Sequence, residues 1–185
     1  MKKFKPLADY KGQTFINSII HKLDKVCSRI IVVTGFRSDE LKAFIIENLE
    51  ETKQYEIISR LNFVYNKVFQ KGMFTSLKKG ISEAKNCDWI LYHFVDQPGL
   101  PDKFYPDFVE QVDSRYDWIQ PVYNSQKGHP VLLGKNLVRL ITEAPYDANL
   151  RDISRDSVVK KKIWDCDYKE IFQDIDTDED YKKLE

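Results

Sequence analysis

The chain has 185 residues, enough for one domain with a sizeable core. Lys plus Arg equals Asp plus Glu at 29 each, so no global field draws the protein to nucleic acid or to a membrane surface. Cys27, Cys87 and Cys166 stand far apart with no C-x-x-C, and His21, His93 and His129 show no ligand spacing. The expectation is reduced thiols in a cytoplasmic protein, not a disulfide framework or a zinc site. The start, Met1 to Leu7, is basic and irregular, and Pro6 opposes an early helix. A turn over Asp9–Gly12 leads to Thr14, the predicted N-cap of a helix whose apolar face is Phe15, Ile16, Ile19, Ile20 and Leu23. Arg29 to Gly35 reads as a buried parallel strand, and a helix through about Leu49 follows, with Ser38 as its cap.

Leu61 to Asn66 is the next predicted strand. A glycine and hydroxyl loop, Lys71 to Ser76, then enters a helix from Leu77 to Ala84. The apolar run from Trp89 to Val95 reads as a strand that delivers Asp96, and the prolines at 98 and 101 then force the chain off the sheet. Phe104 to Val112 is helical by spacing. Trp118–Tyr123 and Pro130–Leu133 flank the polar stretch 124–128 as a hairpin. Leu137–Thr142 and Asn149–Asp156 are short helices, while Ile163–Cys166 and Ile171–Ile175 look like late strands. The tail, Asp178 to Leu184, returns to helix with Thr177 as cap and Asp180 three residues on. Strands alternating with helices imply one domain, a three-layer α/β/α sandwich with a mostly parallel sheet and an antiparallel hairpin. No apolar run approaches the roughly 18 residues of a membrane span, and the opening residues carry no signal-peptide core.

Asp96 and the pair Asp174 and Asp176 each follow an apolar run. In an open α/β sheet, ligands sit outside the carboxyl ends of strands, so these carboxylates are placed to share one cleft. Such a pair suits Mg²⁺, which takes a few carboxylates plus water and substrate phosphates. A calcium loop over the same tail is not expected, because Glu179 stands where the sharp turn requires glycine. Lys5 supplies positive charge near the start, and Gly72 to Ser76 offers N–H groups and hydroxyls suited to an anion. His129 lies between Gly128 and Pro130. The chain has no G-x-S-x-G, G-x-G-x-x-G or Walker A motif.

Six stretches, in order, resemble the MobA-like nucleotidyltransferases. They are Lys5-Pro6-Leu7, Thr34-Gly35, Asn66 with Gly72 to Leu77, Val95-Asp96-Gln97-Pro98, Gly128 to Leu132, and Asp174 to Asp180. The Asp-Gln-Pro and Gly-His-Pro-Val forms look like the molybdenum cofactor cytidylyltransferase branch. The resemblance implies a Rossmann-like sheet and transfer of CMP from CTP to the phosphate of molybdopterin cofactor, with release of pyrophosphate. By position it implies that Asp96 and Asp176 hold Mg²⁺ or Mn²⁺ and that Lys5 neutralises the nucleotide phosphates. Gln97, His129, Asn66, Gly72 and Ser76 would line the nucleotide and pterin pockets. A molybdenum hydroxylase apoenzyme is the implied protein partner. Two other readings fit the same pattern. One is a sugar or alditol phosphate nucleotidyltransferase; the other is a non-catalytic accessory protein that delivers cofactor to such a hydroxylase.

One departure from the family pattern carries a structural expectation. The family opens with a strand and a glycine-rich loop of the form Leu-Ala-Ala-Gly-x-Ser-x-Arg-Met-Gly, just before the lysine that Lys5 matches. Met1 falls about where the methionine of that motif stands. The strand is central in the family's sheet, so this sequence is expected to show unpaired strand edges and an apolar slot.

Overall fold

The computed structural model describes residues 4–84 and 86–182. A short hairpin of β1 (Asp9–Tyr10) and β2 (Gln13–Thr14) leads into α1 (Phe15–Asp24). Thr14 caps α1, its hydroxyl accepting from Asn17 N, and residues 15–20 of the helix are buried. Next come β3 (Ile30–Thr34), α2 (Ser38–Glu51), α3 (Tyr55–Arg60) and β4 (Leu61–Tyr65). β3 and β4 pair in parallel, with Ile30 opposite Leu61 and Thr34 opposite Tyr65. The chain continues through α4 (Met73–Glu83), β5 (Trp89–Tyr92), α5 (Phe104–Val109), β6 (Trp118–Tyr123), β7 (Gln126–Lys127), β8 (Val131–Gly134), α6 (Asn136–Glu143) and α7 (Leu150–Arg155). It closes with β9 (Lys161–Asp165), a 3₁₀ turn (Lys169–Phe172) and α8 (Asp178–Lys182).

Five of these strands form a mixed sheet in which β5 pairs β8, β8 and β7 lie along successive stretches of one edge of β6, and β9 is parallel to β6 on its other edge. β8 is antiparallel to both β5 and β6. Helices cover both faces. Ile30 and Val32 pack with Ile16, Ile20, Leu41 and Ile45 from α1 and α2, while Leu77 and Ile81 of α4 join Val131, Leu133, Leu137 and Ile141. This is the three-layer α/β/α arrangement, Rossmann-like in its parallel β3–β4 unit. Among the described residues, β3 pairs only with β4, and β5 only with β8. Between their free edges lies an apolar slot of about 580 Å³. No helix of the described residues is long and apolar enough to cross a membrane.

Several boundaries differ from the sequence reading. β5 ends at Tyr92 rather than Val95, because its partner strand begins at Val131, opposite Tyr92, and Pro130 before it has no N–H to offer. α2 is entered from Arg37 in the left-handed region (φ 53°), so Ser38 sits inside the helix and its hydroxyl meets Thr34 Oγ1 at 2.7 Å. α4 begins at Met73, four residues early, since Gly72 (φ 111°) takes the N-cap position. α5 stops at Val109 rather than Val112. The expected hairpin forms: the chain turns tightly at Asn124-Ser125, and β7 and then β8 run antiparallel along one edge of β6, with Val122 opposite Lys127 and Ile119 opposite Leu132. Ile171–Ile175 forms no strand. Its backbone is engaged by loops instead: His129 N donates to Ile171 O, and Ile175 N to Asp96 O. The tail helix has the expected capping box, with Asp180 N donating to Thr177 Oγ1 and Thr177 N to Asp180 Oδ2, while Leu184 lies outside the described residues.

Candidate active site

Asp96 sits four residues past the end of β5, in a turn anchored by the wholly buried Leu100 and Phe104. Ile175 N donates to Asp96 O at 2.9 Å, which brings the Asp174-Ile175-Asp176 segment alongside. Ile175 is wholly buried and packs with Ala8 and Phe15, so the carboxylates on either side of it are held beside the turn. Lys5 ion-pairs with Asp176 across 171 positions of sequence. Asp96 Oδ1 is buried with no hydrogen-bond partner among the described residues. Burial, and then the neighbouring Asp174 carboxylate, push the Asp96 carboxyl above its usual value, and Lys5 opposes them. A carboxylate so placed is poorly satisfied by the protein alone, and a cation is the group that would satisfy it.

Gln97 is almost fully buried and joins the same cluster. Its Nε2 donates to Asp174 Oδ1 at 2.7 Å, and its Oε1 is buried without a partner. His129 stands over Phe94, ring centroids 4.6 Å apart, with Nδ1 buried and unpartnered. Burial lowers its pKa from 6.5, so its ring is neutral at pH 7 and offers shape and a hydrogen bond, not charge. Gly128 lets that strap approach, since a Cβ there would lie 2.5 Å from Ile171 Cγ1. His93 is a separate case. Its Nε2 meets Tyr105 Oη at 2.9 Å, and burial takes its pKa to about 4, which fits a neutral structural role.

A second cluster lies where β3 and β4 end. Asn66 is buried; its N donates to Thr34 O, its Nδ2 to Thr75 Oγ1 at 2.8 Å and Ser76 Oγ at 3.0 Å, and its Oδ1 accepts from Val68 N. One side chain thus fixes the connection from Gly72 into the first turn of α4. Truncating it leaves several of these groups unpaired, so Asn66→Ala is expected to cost about 1–3 kcal/mol. Urea unfolding checks this; the midpoint should fall with the slope m unchanged.

The structure therefore gathers Lys5, Asp96, Gln97, His129 and Asp176 into one site, and Asn66, Gly72 and Ser76 into a neighbouring one. Ser76 and Asp96 both line the slot between β3 and β5. One contributor was not singled out from sequence: Thr75 shares the Asn66 network, and nothing local marks it. Asp174, expected beside Asp176 in the shared cleft, weighs more on Asp96 than Asp176 does.

Carboxylates, a lysine and buried amides gathered outside the carboxyl ends of strands are placed where open α/β folds bind their ligands. The comparisons agree: residues 1–162 match the model of the MobA-like NTP transferase domain, and the chain belongs to that family. A molybdenum cofactor cytidylyltransferase of Escherichia coli (strain K12) is 27% identical over 184 residues, 98% of this chain and 86% of that protein. A probable molybdenum cofactor guanylyltransferase of Bacillus cytotoxicus is 22% identical over 193 residues, covering 97% and 87%. Among solved structures, a nucleotidyl transferase from Methanothermobacter superposes with TM-score 0.75 at 21% identity, covering 97% of this chain and 82% of that one. Rv0371C from Mycobacterium tuberculosis, solved as a complex with manganese, gives 0.69 at 14% identity, covering 97% and 90%. The protein is a nucleotidyltransferase related to the molybdenum cofactor cytidylyl- and guanylyltransferases.

Proposed function

We propose that the protein transfers CMP from CTP to the terminal phosphate of molybdopterin cofactor. A phosphate oxygen attacks the α-phosphorus, the bond from that phosphorus to the bridging oxygen breaks, and pyrophosphate leaves. The observation that carries the reading is the convergence of Asp96, Asp176 and Lys5 at one sheet edge, with Asp96 Oδ1 buried and unpartnered. Asp96 and Asp176 would hold a divalent cation, Mg²⁺ or Mn²⁺, which when bound neutralises phosphate charge. Two carboxylates are a fitting set, because Mg²⁺ uses one or two together with water and substrate phosphates. It is consistent that no group of three or more His, Cys, Asp or Glu among the described residues is arranged to hold a metal by itself.

Lys5, paired with Asp176, is placed to exchange that partner for the phosphates of an arriving nucleotide. Gln97 and His129 present unpartnered polar atoms for hydrogen bonds to the substrates. No general base is needed, since the attacking phosphate, with a second pKa of about 6, is already largely ionised at neutral pH. Catalysis then rests on positioning and on charge neutralisation.

The test is pyrophosphate release with CTP, molybdopterin cofactor and Mg²⁺ or Mn²⁺, with GTP and sugar phosphates in parallel arms. Release that requires CTP, cofactor and metal together supports the assignment. Preference for GTP, equal turnover of a sugar phosphate, or no release in any arm overturns it.

A further inference from the structure

A second cleft, of about 530 Å³, is walled by the β1–β2 hairpin, the last turn of α1 and residues 99–102, which follow the Asp96 turn. None of its lining residues belongs to the Asp96 site. Three of them are lysines: Lys11 from the hairpin turn, and Lys22 and Lys25 from the end of α1. Lys22 and Lys25 stand three positions apart and so share one face of the helix. Lys11 and Gly12, both in the left-handed region (φ 53° and 80°), close the hairpin and carry the third lysine to the same place. Lys11 Nζ lies 5.2 Å and Lys22 Nζ 5.6 Å from the centre of the Tyr10 ring, so two ammonium groups share one aromatic side chain.

The charges in this cleft are not all matched. Lys25 Nζ donates to Asp102 Oδ2 at 2.5 Å, which commits that pair to each other. Lys22 Nζ donates to Pro98 O at 2.5 Å, a neutral acceptor. Among the described residues, neither Lys22 nor Lys11 has a carboxylate within ion-pairing distance. An ammonium carries three donors, so Lys22 keeps two unused. Burial, with repulsion from Lys11 and Lys25, lowers its pKa to about 8 against the pull of Asp102, and at pH 7 it remains mainly charged. His21, which burial holds below its usual value, adds no charge there. Glu170 is the other acid on the wall, so the lysines outnumber the carboxylates. Cations in the last turn suit the negative end of a helix, which accounts for Lys22 and Lys25. It does not account for a lysine brought to them by a separate hairpin.

A half-buried charge flanked by like charges is costly until a counter-charge arrives. A carboxylate brings one negative charge, whereas a phosphate group brings between one and two at pH 7 and three acceptor oxygens. That matches two unpaired ammonium groups. The cleft is also many times the roughly 30 Å³ share of one liquid water, which leaves space for an organic group beside the phosphate. We propose that this cleft is a second anion site, separate from the Asp96 site, in which a phosphate group sits between the Lys11 and Lys22 ammonium groups.

The experiment titrates the metal-free full chain at pH 7 with inorganic phosphate and with ribose 5-phosphate, against sodium chloride at matched ionic strength. Lysine ε-methylene and Tyr10 ring signals are followed by NMR. Phosphate is expected to shift the Lys11, Lys22 and Tyr10 signals together, with a dissociation constant below about 1 mM. Lys11→Met and Lys22→Met should each weaken binding at least ~10-fold, and Glu170→Gln should tighten it. Lys5→Met, in the Asp96 site, should leave the Tyr10 shift in place. Lys11 is exposed, so its variant tests the site even where Lys22→Met, which also loses Pro98 O, fails to fold. Tighter binding of ribose 5-phosphate marks a phosphorylated metabolite as the occupant, and equal binding marks free phosphate. Equal shifts with sodium chloride, undiminished binding by Lys11→Met, or loss of the Tyr10 shift in Lys5→Met overturns the assignment.

Discussion

Asp96→Asn is expected to lower pyrophosphate release by at least about 100-fold, because it removes the charge that a divalent cation and the transferring phosphates require while keeping the side chain's size. The same substitution should raise the stability of the metal-free protein at neutral pH. Burial and Asp174 hold the Asp96 carboxyl above its ordinary value, so between the unfolded and folded pKa values the folded state binds more protons than the unfolded one. Stability contributed by that group is therefore full below about pH 4, the unfolded value, and is lost as pH rises through the folded pKa. Asparagine carries no such penalty. Urea midpoints in metal-free buffer should thus favour Asp96→Asn at pH 7.5 and converge with the parent toward pH 4. Undiminished release by the variant would remove Asp96 from the chemistry. Lost release together with lower stability at pH 7.5 would show damage to the fold instead.

That pairing of lost turnover with gained stability separates a site carboxylate from a structural one. An aspartate that merely tied down its turn would destabilise the protein when replaced. Asp96 Oδ1 has no hydrogen bond to lose, so the variant forfeits no protein partner there. Asp117 is the contrast: Oδ1 accepts from Asn136 Nδ2, and Oδ2 from Lys160 N, so its charge is satisfied inside the fold.

What the sequence made legible is what local pattern controls. The 3.6-residue spacing of Phe15, Ile16, Ile19, Ile20 and Leu23 located α1, and β-branched Ile30 to Val33 located β3. Thr177 and Asp180 announced their capping box. α3 escaped notice because it is six residues long, has no side-chain cap and buries only Ile57. Ile171 to Ile175 was misread because its apolar residues do pack inward, yet its backbone partners, His129 and Asp96, are remote in sequence. The site followed the same division. Asp96, Asp176 and Lys5 were reachable from strand ends and from the resemblance, whereas the weight of Asp174 depends on Gln97 reaching it across 77 positions.

The largest expected loss of stability comes from the aromatic cluster that anchors the Asp96 turn. Phe104 is wholly buried, and its ring lies within 5.2–5.7 Å, centroid to centroid, of Tyr105, Phe108, Trp164 and Tyr168. Four aromatic neighbours form a rigid wall that collapses poorly onto a void, so Phe104→Ala is expected to cost about 3–5 kcal/mol, a large share of a typical domain's stability. Phe104→Leu keeps most of the volume and should cost clearly less. Phe36, 65% exposed at the opposite end of the chemistry's edge, provides the control, and Phe36→Ala should stay within about 1 kcal/mol. Urea unfolding of the three variants orders these costs, and a Phe104→Ala loss below about 1 kcal/mol would mean that the cluster relaxes to fill the gap. The consequence reaches the site through the chain: Phe104 N donates to Pro101 O, and Leu100 is buried in the same cluster. Loosening that anchor frees the turn carrying Asp96 and Gln97, so Phe104→Leu, although folded, should lose turnover mainly in kcat as the carboxylate's position relaxes.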